Sequence, residues 1–138
     1  MSDINYGDPN ATPPMGQAIP LGLQHVLAMF ASNVTPSIIV AGAAGLAFGG
    51  AEQVYLIQMA MLFAGVATLF QTVGMGPIGA RLPIMQGTSF AFLPIMIPLV
   101  AGKGVEGMAA LFSGVVIGGI FHALLGSVIG KIRFALPP

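Results

Sequence analysis

The chain has 138 residues, of which 56% are hydrophobic, with four Lys+Arg balanced by four Asp+Glu. Only 6% are charged, against roughly 25% in soluble domains, too few to cover a water-soluble particle of this size, so the chain is read as an integral membrane protein. Zero net charge and the lack of a basic cluster argue against nucleic acid as a partner, and the absence of cysteine excludes disulfides and thiolate metal sites.

The first stretch, 1–18, carries two Asp, no Lys or Arg, and four Pro or Gly before Met15. It reads as a short disordered cytoplasmic tail rather than the positively charged start of a secretory signal. The domain division expected is therefore a tail at 1–18 and a membrane segment at 19–138. A span needs about 20 mostly apolar residues, and four stretches satisfy this: 19–45, 54–73, 82–101 and 108–129. Apart from the two Asp of the tail, charges fall only between or after them, at Glu52, Arg81, Lys103, Glu106, Lys131 and Arg133. Placing the N-terminus inside keeps Arg81, Lys131 and Arg133 cytoplasmic, which the positive-inside rule favours. There is no Trp, and Tyr6 and Tyr55 make only a thin aromatic belt.

The first span holds Gln24, His25, Ser32, Asn33, Thr35 and Pro36. Gln24, Ala28, Ser32 and Pro36 recur every four residues, with His25, Met29 and Asn33 on the adjoining row, so a polar stripe is expected to face the protein interior. Two readings stand: hydrogen bonds that only join helices, or part of a site. Pro36 lacks the N–H a helix interior needs and is expected to kink the helix.

Up to Phe70 the second span is interrupted only by Gln58 and Thr68 and reads as packing material. A glycine-rich turn at 71–80 follows; its GxG spacing has no βαβ unit around it and is not a dinucleotide fingerprint. In the fourth span Gly114 and Gly118 share a row with His122, Gly126 and Gly130, a pattern for close helix packing that a second copy of the chain could also use. His122 reads first as an interhelical hydrogen-bond partner and second as a proton relay. Two His on separate helices and no Asp or Glu within any span give no basis for an intramembrane enzyme, and no metal or cofactor site is expected.

The third span is the odd one. Pro83, Pro94 and Pro98 cut it, and Gln86-Gly-Thr-Ser-Phe-Ala-Phe92 at its centre favours an extended segment, with Pro94 biasing Leu93 away from helix. Backbone that leaves the helix at membrane depth must be buried in protein or line a cavity, so a short strand here would demand a partner strand and would mark a site. Backbone donors, Phe faces and the N-terminus of a helix restarting after Pro94 suit a small, planar, polar solute. The competing reading is a Pro-kinked helix with Ser and Thr bonded back to carbonyls.

Gly22-Leu-Gln-His-Val-Leu-Ala-Met-Phe30 resembles the first-helix signature of the nucleobase-ascorbate transporter family, the uracil and xanthine permeases. Arg81-Leu-Pro-Ile-Met-Gln-Gly-Thr-Ser-Phe-Ala-Phe92 resembles that family's third segment, and Phe134-Ala-Leu-Pro-Pro138 the start of its motif after the fourth helix. The resemblance implies an all-α polytopic membrane protein of four transmembrane segments, the third broken by a short extended strand. These would be the first part of a fourteen-span, inverted-repeat transporter, in which a core domain moves against a gate domain. The partner strand and the acidic residues that carry ion coupling would then lie outside this chain.

Carried over residue by residue, the resemblance assigns substrate binding to Phe90, Ser89, Thr88, Gly87, Gln86, His25, Gln24 and Ser32. Phe90 would offer its N–H and ring to the base, and His25 would support the site through hydrogen bonds. The implied function is nucleobase transport (xanthine or another purine, or uracil) by symport with a proton or sodium ion in the inner cell membrane. The implied partners are the lipid bilayer and the remainder of the transporter. Two alternatives remain open: a small four-helix membrane protein that oligomerises or regulates, and an anion transporter of the same fold.

Overall fold

A computed structural model of the chain describes residues 11–76 and 78–129. Tyr6, Gly130, Lys131, Arg133 and the motif at 134–138 lie outside them. The elements are α1 (Met15–Ala44), α2 (Ala51–Val73), a 3-10 turn (Phe90–Phe92), α3 (Leu93–Val100) and α4 (Gly104–Ile129). Among the described residues α1, α2 and α4 are long and apolar enough to cross a membrane. At 1.5 Å per residue they reach about 45, 35 and 39 Å against a hydrocarbon core of about 30 Å.

Helix α1 starts four residues before the expected span. Pro14 precedes it with extended backbone, and its carbonyl accepts from the N–H groups of Gln17 and Ala18 at 2.8 and 3.0 Å. The helix stops at Gly45, whose left-handed φ of 83° lets its own N–H and that of Leu46 turn back onto the last-turn carbonyls. Helix α2 begins after Gly50 and carries Glu52 in its first turn, where the helix dipole favours an anion. Buried Gln53 reaches back, its Oε1 accepting the Gly49 N–H at 2.8 Å.

The third segment departs from expectation. It is not a span interrupted by a strand: residues 83–89 have no regular structure, a 3-10 turn follows, and α3 has eight residues, about 12 Å of helix. Among the described residues there is no strand, and the one bridge, between Met75 and Ile78, is isolated. The reason is local. Among the described residues no second extended segment pairs with this one, while Ser89 offers nearer acceptors: its Oγ takes the Ala91 N–H and its carbonyl the Phe92 N–H, both at 3.3 Å. Such side-chain bonds compete with extended backbone and tighten it into a turn. Pro94 then sits in the first turn of α3, where its missing N–H costs nothing.

The apolar core joins α1, α3 and α4 through Val40 and Ala44, Leu93 and Val100, and Met108 and Leu111. The Gly102 N–H donates to Ala43 O at 3.0 Å and ties the end of α3 to the end of α1. Glu52, Lys103 and Glu106 therefore gather at that end of the bundle, and Arg81 follows α2 at the other. Elsewhere large apolar side chains such as Phe63, Leu69, Ile117 and Phe121 are exposed, as lipid or further protein requires.

Candidate functional site

The chain leaves α2 through a tight turn in which Met75 and Ile78 exchange both backbone hydrogen bonds, at 2.8 and 3.1 Å. Gly79 has φ 87°, and a Cβ there would collide with the Phe70 carbonyl, so only glycine lets the returning backbone lie against the last turn of α2. Arg81, also left-handed at φ 55°, donates its N–H to Gln71 O at 3.0 Å. The segment is thereby laid back along α2 toward its middle.

Two side chains from different helices then hold it. The Gln86 N–H donates to Thr68 Oγ1 at 2.9 Å, while that hydroxyl donates to Ala64 O at 2.7 Å within α2. The Thr88 N–H donates to Asn33 Oδ1 of α1 at 2.7 Å, and Asn33 is only 1% exposed. Between these two anchors Gly87 passes so close to α1 that a Cβ would overlap Asn33 Oδ1 and lie 2.6 Å from Met29 Cε. Met29 and Asn33 stand near the middle of the 30-residue α1, and α3, tied to the end of α1, begins about 12 Å back from that end. The break therefore sits beside the middle of α1.

Beyond Thr88, among the described residues, the N–H groups of Ser89 and Phe90 donate to no protein acceptor. The Phe90 ring beside them is 48% exposed. Chemically this is a pair of consecutive backbone donors next to an aromatic face, suited to the acceptor edge of a flat, polar ring. A hollow of about 340 Å³ lies between α2 and the returning segment, walled by Ala67, Phe70, Gln71, Ile78 and Gln86. It shares Gln86 with the break but includes neither Ser89 nor Phe90, so the donor pair, not the hollow, marks the candidate site.

Of the residues expected at the site, Gln86, Gly87, Thr88, Ser89 and Phe90 are consecutive in this break. Gln24 and His25 are exposed on the first half of α1, and the His25 Nδ1 lies 2.8 Å from Leu21 O of its own helix. Ser32 donates to Met29 O at 3.1 Å, again within α1. The hydrogen bond that joins α1 to the break is made instead by Asn33. Thr68, expected as packing material, makes the equivalent bond from α2. Both signals were present in the sequence: Asn33 continues the row of His25 and Met29, and Thr68 is one of two polar residues between Leu56 and Phe70. His122 lies 2.8 Å from Gly118 O in its own helix and is exposed. Among the described residues no three His, Cys, Asp or Glu cluster as metal ligands.

A model of the permease family matches residues 16–138. The chain belongs to this family, which bears out the resemblance to nucleobase-ascorbate transporters. Among its relatives, the uric acid permease PucJ of Bacillus subtilis is 35% identical over 86% of this chain and 25% of its own length. The nucleobase transporter PlUacP of Paenibacillus larvae is 36% identical over 88% of this chain and 27% of its own. The xanthine permease XanP of Escherichia coli is 33% identical over 91% and 28% respectively. The chain thus spans about a quarter of the length of the curated relatives it matches. No solved structure matches it. The family is one of permeases rather than enzymes, and the chain is a multi-pass membrane protein.

Proposed function

We propose that this permease-family chain is the N-terminal portion of a cation-coupled nucleobase symporter, with 86–90 forming half of the substrate site. The observation that carries the reading is the N–H pair of Ser89 and Phe90, without an acceptor among the described residues and held beside the middle of α1 next to an exposed aromatic ring. The names of the relatives favour xanthine, uric acid or a similar base as the solute. Stacking on Phe90 would add about 0.5–1.5 kcal/mol. Glu52 and Glu106 lie in first turns at helix ends, so the group that binds a proton or sodium ion belongs to the remainder of the transporter or to a second copy. His25, Gln24 and Ser32 support the site from α1. The chain sits in the inner cell membrane with its N-terminal 1–18 cytoplasmic, since Arg81, Lys131 and Arg133 then all face inward.

The test is a chimera in which 16–138 replace the matching quarter of Escherichia coli XanP, assayed for radiolabelled xanthine uptake in permease-null cells. Uptake by the chimera, competed by uric acid and not by sulfate, is the expected result; the 138-residue chain expressed alone should give none. Phe90→Ala in the chimera should weaken uptake, and Ser89→Pro should weaken it more because it deletes one of the two donors. Undiminished transport by both variants would remove 86–90 from the site.

A further inference from the structure

The free donors of Ser89 and Phe90 lie at the end of a segment that has neither helix nor sheet to hold it. A backbone without ladder bonds is fixed only by whatever side chains grip it. The two grips on the described residues come from opposite sides: Thr68 Oγ1 takes the Gln86 N–H from α2, and Asn33 Oδ1 takes the Thr88 N–H from α1. They are spaced by two residues, so the intervening Gly87 is pulled against α1, where no Cβ fits between Asn33 and Met29. The two N–H groups that follow, of Ser89 and Phe90, find no acceptor among the described residues.

Resting on the transporter reading above, we propose that Asn33 and Thr68 are positioning residues. Together they form a two-point clamp that aims the Ser89 and Phe90 N–H groups at the acceptor edge of the planar solute, without touching the solute themselves. Thr68 is well suited because its hydroxyl is already oriented by donating to Ala64 O, leaving its lone pair directed at Gln86. Asn33 is suited by burial: with water excluded, its carbonyl is the acceptor available to Thr88, and a hydrogen bond there is stronger than the same bond in water. Releasing either point frees the donor pair to rotate, so the solute would have to order it on binding, and affinity falls.

Hydrogen exchange on the full 138-residue chain in lipid nanodiscs tests the clamp directly. The Gln86 and Thr88 amides should exchange roughly tenfold more slowly than those of Ser89 and Phe90. Asn33→Leu, similar in size but without an acceptor, should release Thr88 and leave Gln86 protected; Thr68→Val should do the converse; Asn33→Asp, which keeps a side-chain carbonyl, should protect Thr88. Uniform exchange across 86–90, or a Thr88 amide indifferent to Asn33→Leu, overturns the clamp. In the XanP chimera, Asn33→Leu should raise the KM for xanthine roughly tenfold with kcat and membrane protein level near their starting values, and Asn33→Asp should restore the KM. A loss shared equally by Asn33→Asp would assign the effect to the Asn33 amide NH2 and overturn a purely positioning role. A chimera that carries no nucleobase at all would defeat the transporter reading instead, while the exchange pattern still decides the clamp.

Discussion

The two halves of α1 are both apolar helix dotted with polar residues, and they have opposite fates. In Asn33–Ala44 the residues Asn33, Pro36, Ser37, Val40, Ala41 and Ala44 are buried, Asn33 bonding the break and Val40 and Ala44 packing in the core with α3 and α4, whereas Leu23, Leu27 and Phe30 of the first half are more than half exposed. The polar row His25, Met29, Asn33 crosses the boundary: Asn33 bonds a residue 55 positions away, while His25 is exposed and bonds four residues back. A polar side chain in a membrane helix is therefore not a site by virtue of its residue type. It becomes one where a second segment brings it an unpaired backbone group, and the second half of α1 is where this chain supplies one.

The largest change that should break this contrast is Gly87→Val. Its branched side chain would occupy the space of Asn33 Oδ1 and Met29 Cε, separating the break from α1 at a cost of roughly 2–3 kcal/mol. The unfolding midpoint of the chain in a sodium dodecyl sulfate titration should drop accordingly, and the double variant Met29→Ala/Gly87→Val should recover part of the loss. Val100→Ala removes two methyl groups from the fully buried contact between α1, α3 and α4. The expected loss is smaller, about 1 kcal/mol in the same titration, because lipid solvates an apolar side chain nearly as well as the protein does and only packing is forfeited. The smallest effect belongs to the exposed half: His25→Ala gives up a bond to its own helix and should move the midpoint by less than about 0.5 kcal/mol. A His25 effect as large as that of Gly87→Val would erase the distinction between the halves.

Much of this was legible beforehand. The three crossing helices follow from apolar runs bounded by charges, and their ends from residues such as Gly45, Gly50 and Gly74. The place of the break follows from Pro83, Pro94 and Gly87, each of which weakens helix for a reason internal to the residue. The strand was expected from Phe90 and Phe92 alternating with smaller residues, and it failed because alternation states only which conformation suits the side chains. Whether backbone stays extended depends on a partner ladder, and here the Ser89 hydroxyl and carbonyl supplied closer bonds. Asn33 and Thr68 were visible as polar residues in apolar helices, yet nothing local separated them from His25 and Gln58.

Composition and periodicity by themselves determined that this chain lives in a membrane, marked four apolar stretches of which three are helices long enough to cross it, and showed that the helix fails within the third stretch. These depend on each residue's own preference for lipid and for helical φ and ψ, which sequence carries directly. The tertiary structure alone decided what the failure becomes: a loop and 3-10 turn gripped by oxygens 18 and 55 residues away, with the next two backbone donors finding no acceptor among the described residues. A hydrogen bond between distant positions depends on how helices are laid beside one another, and no pattern along a single helix specifies that.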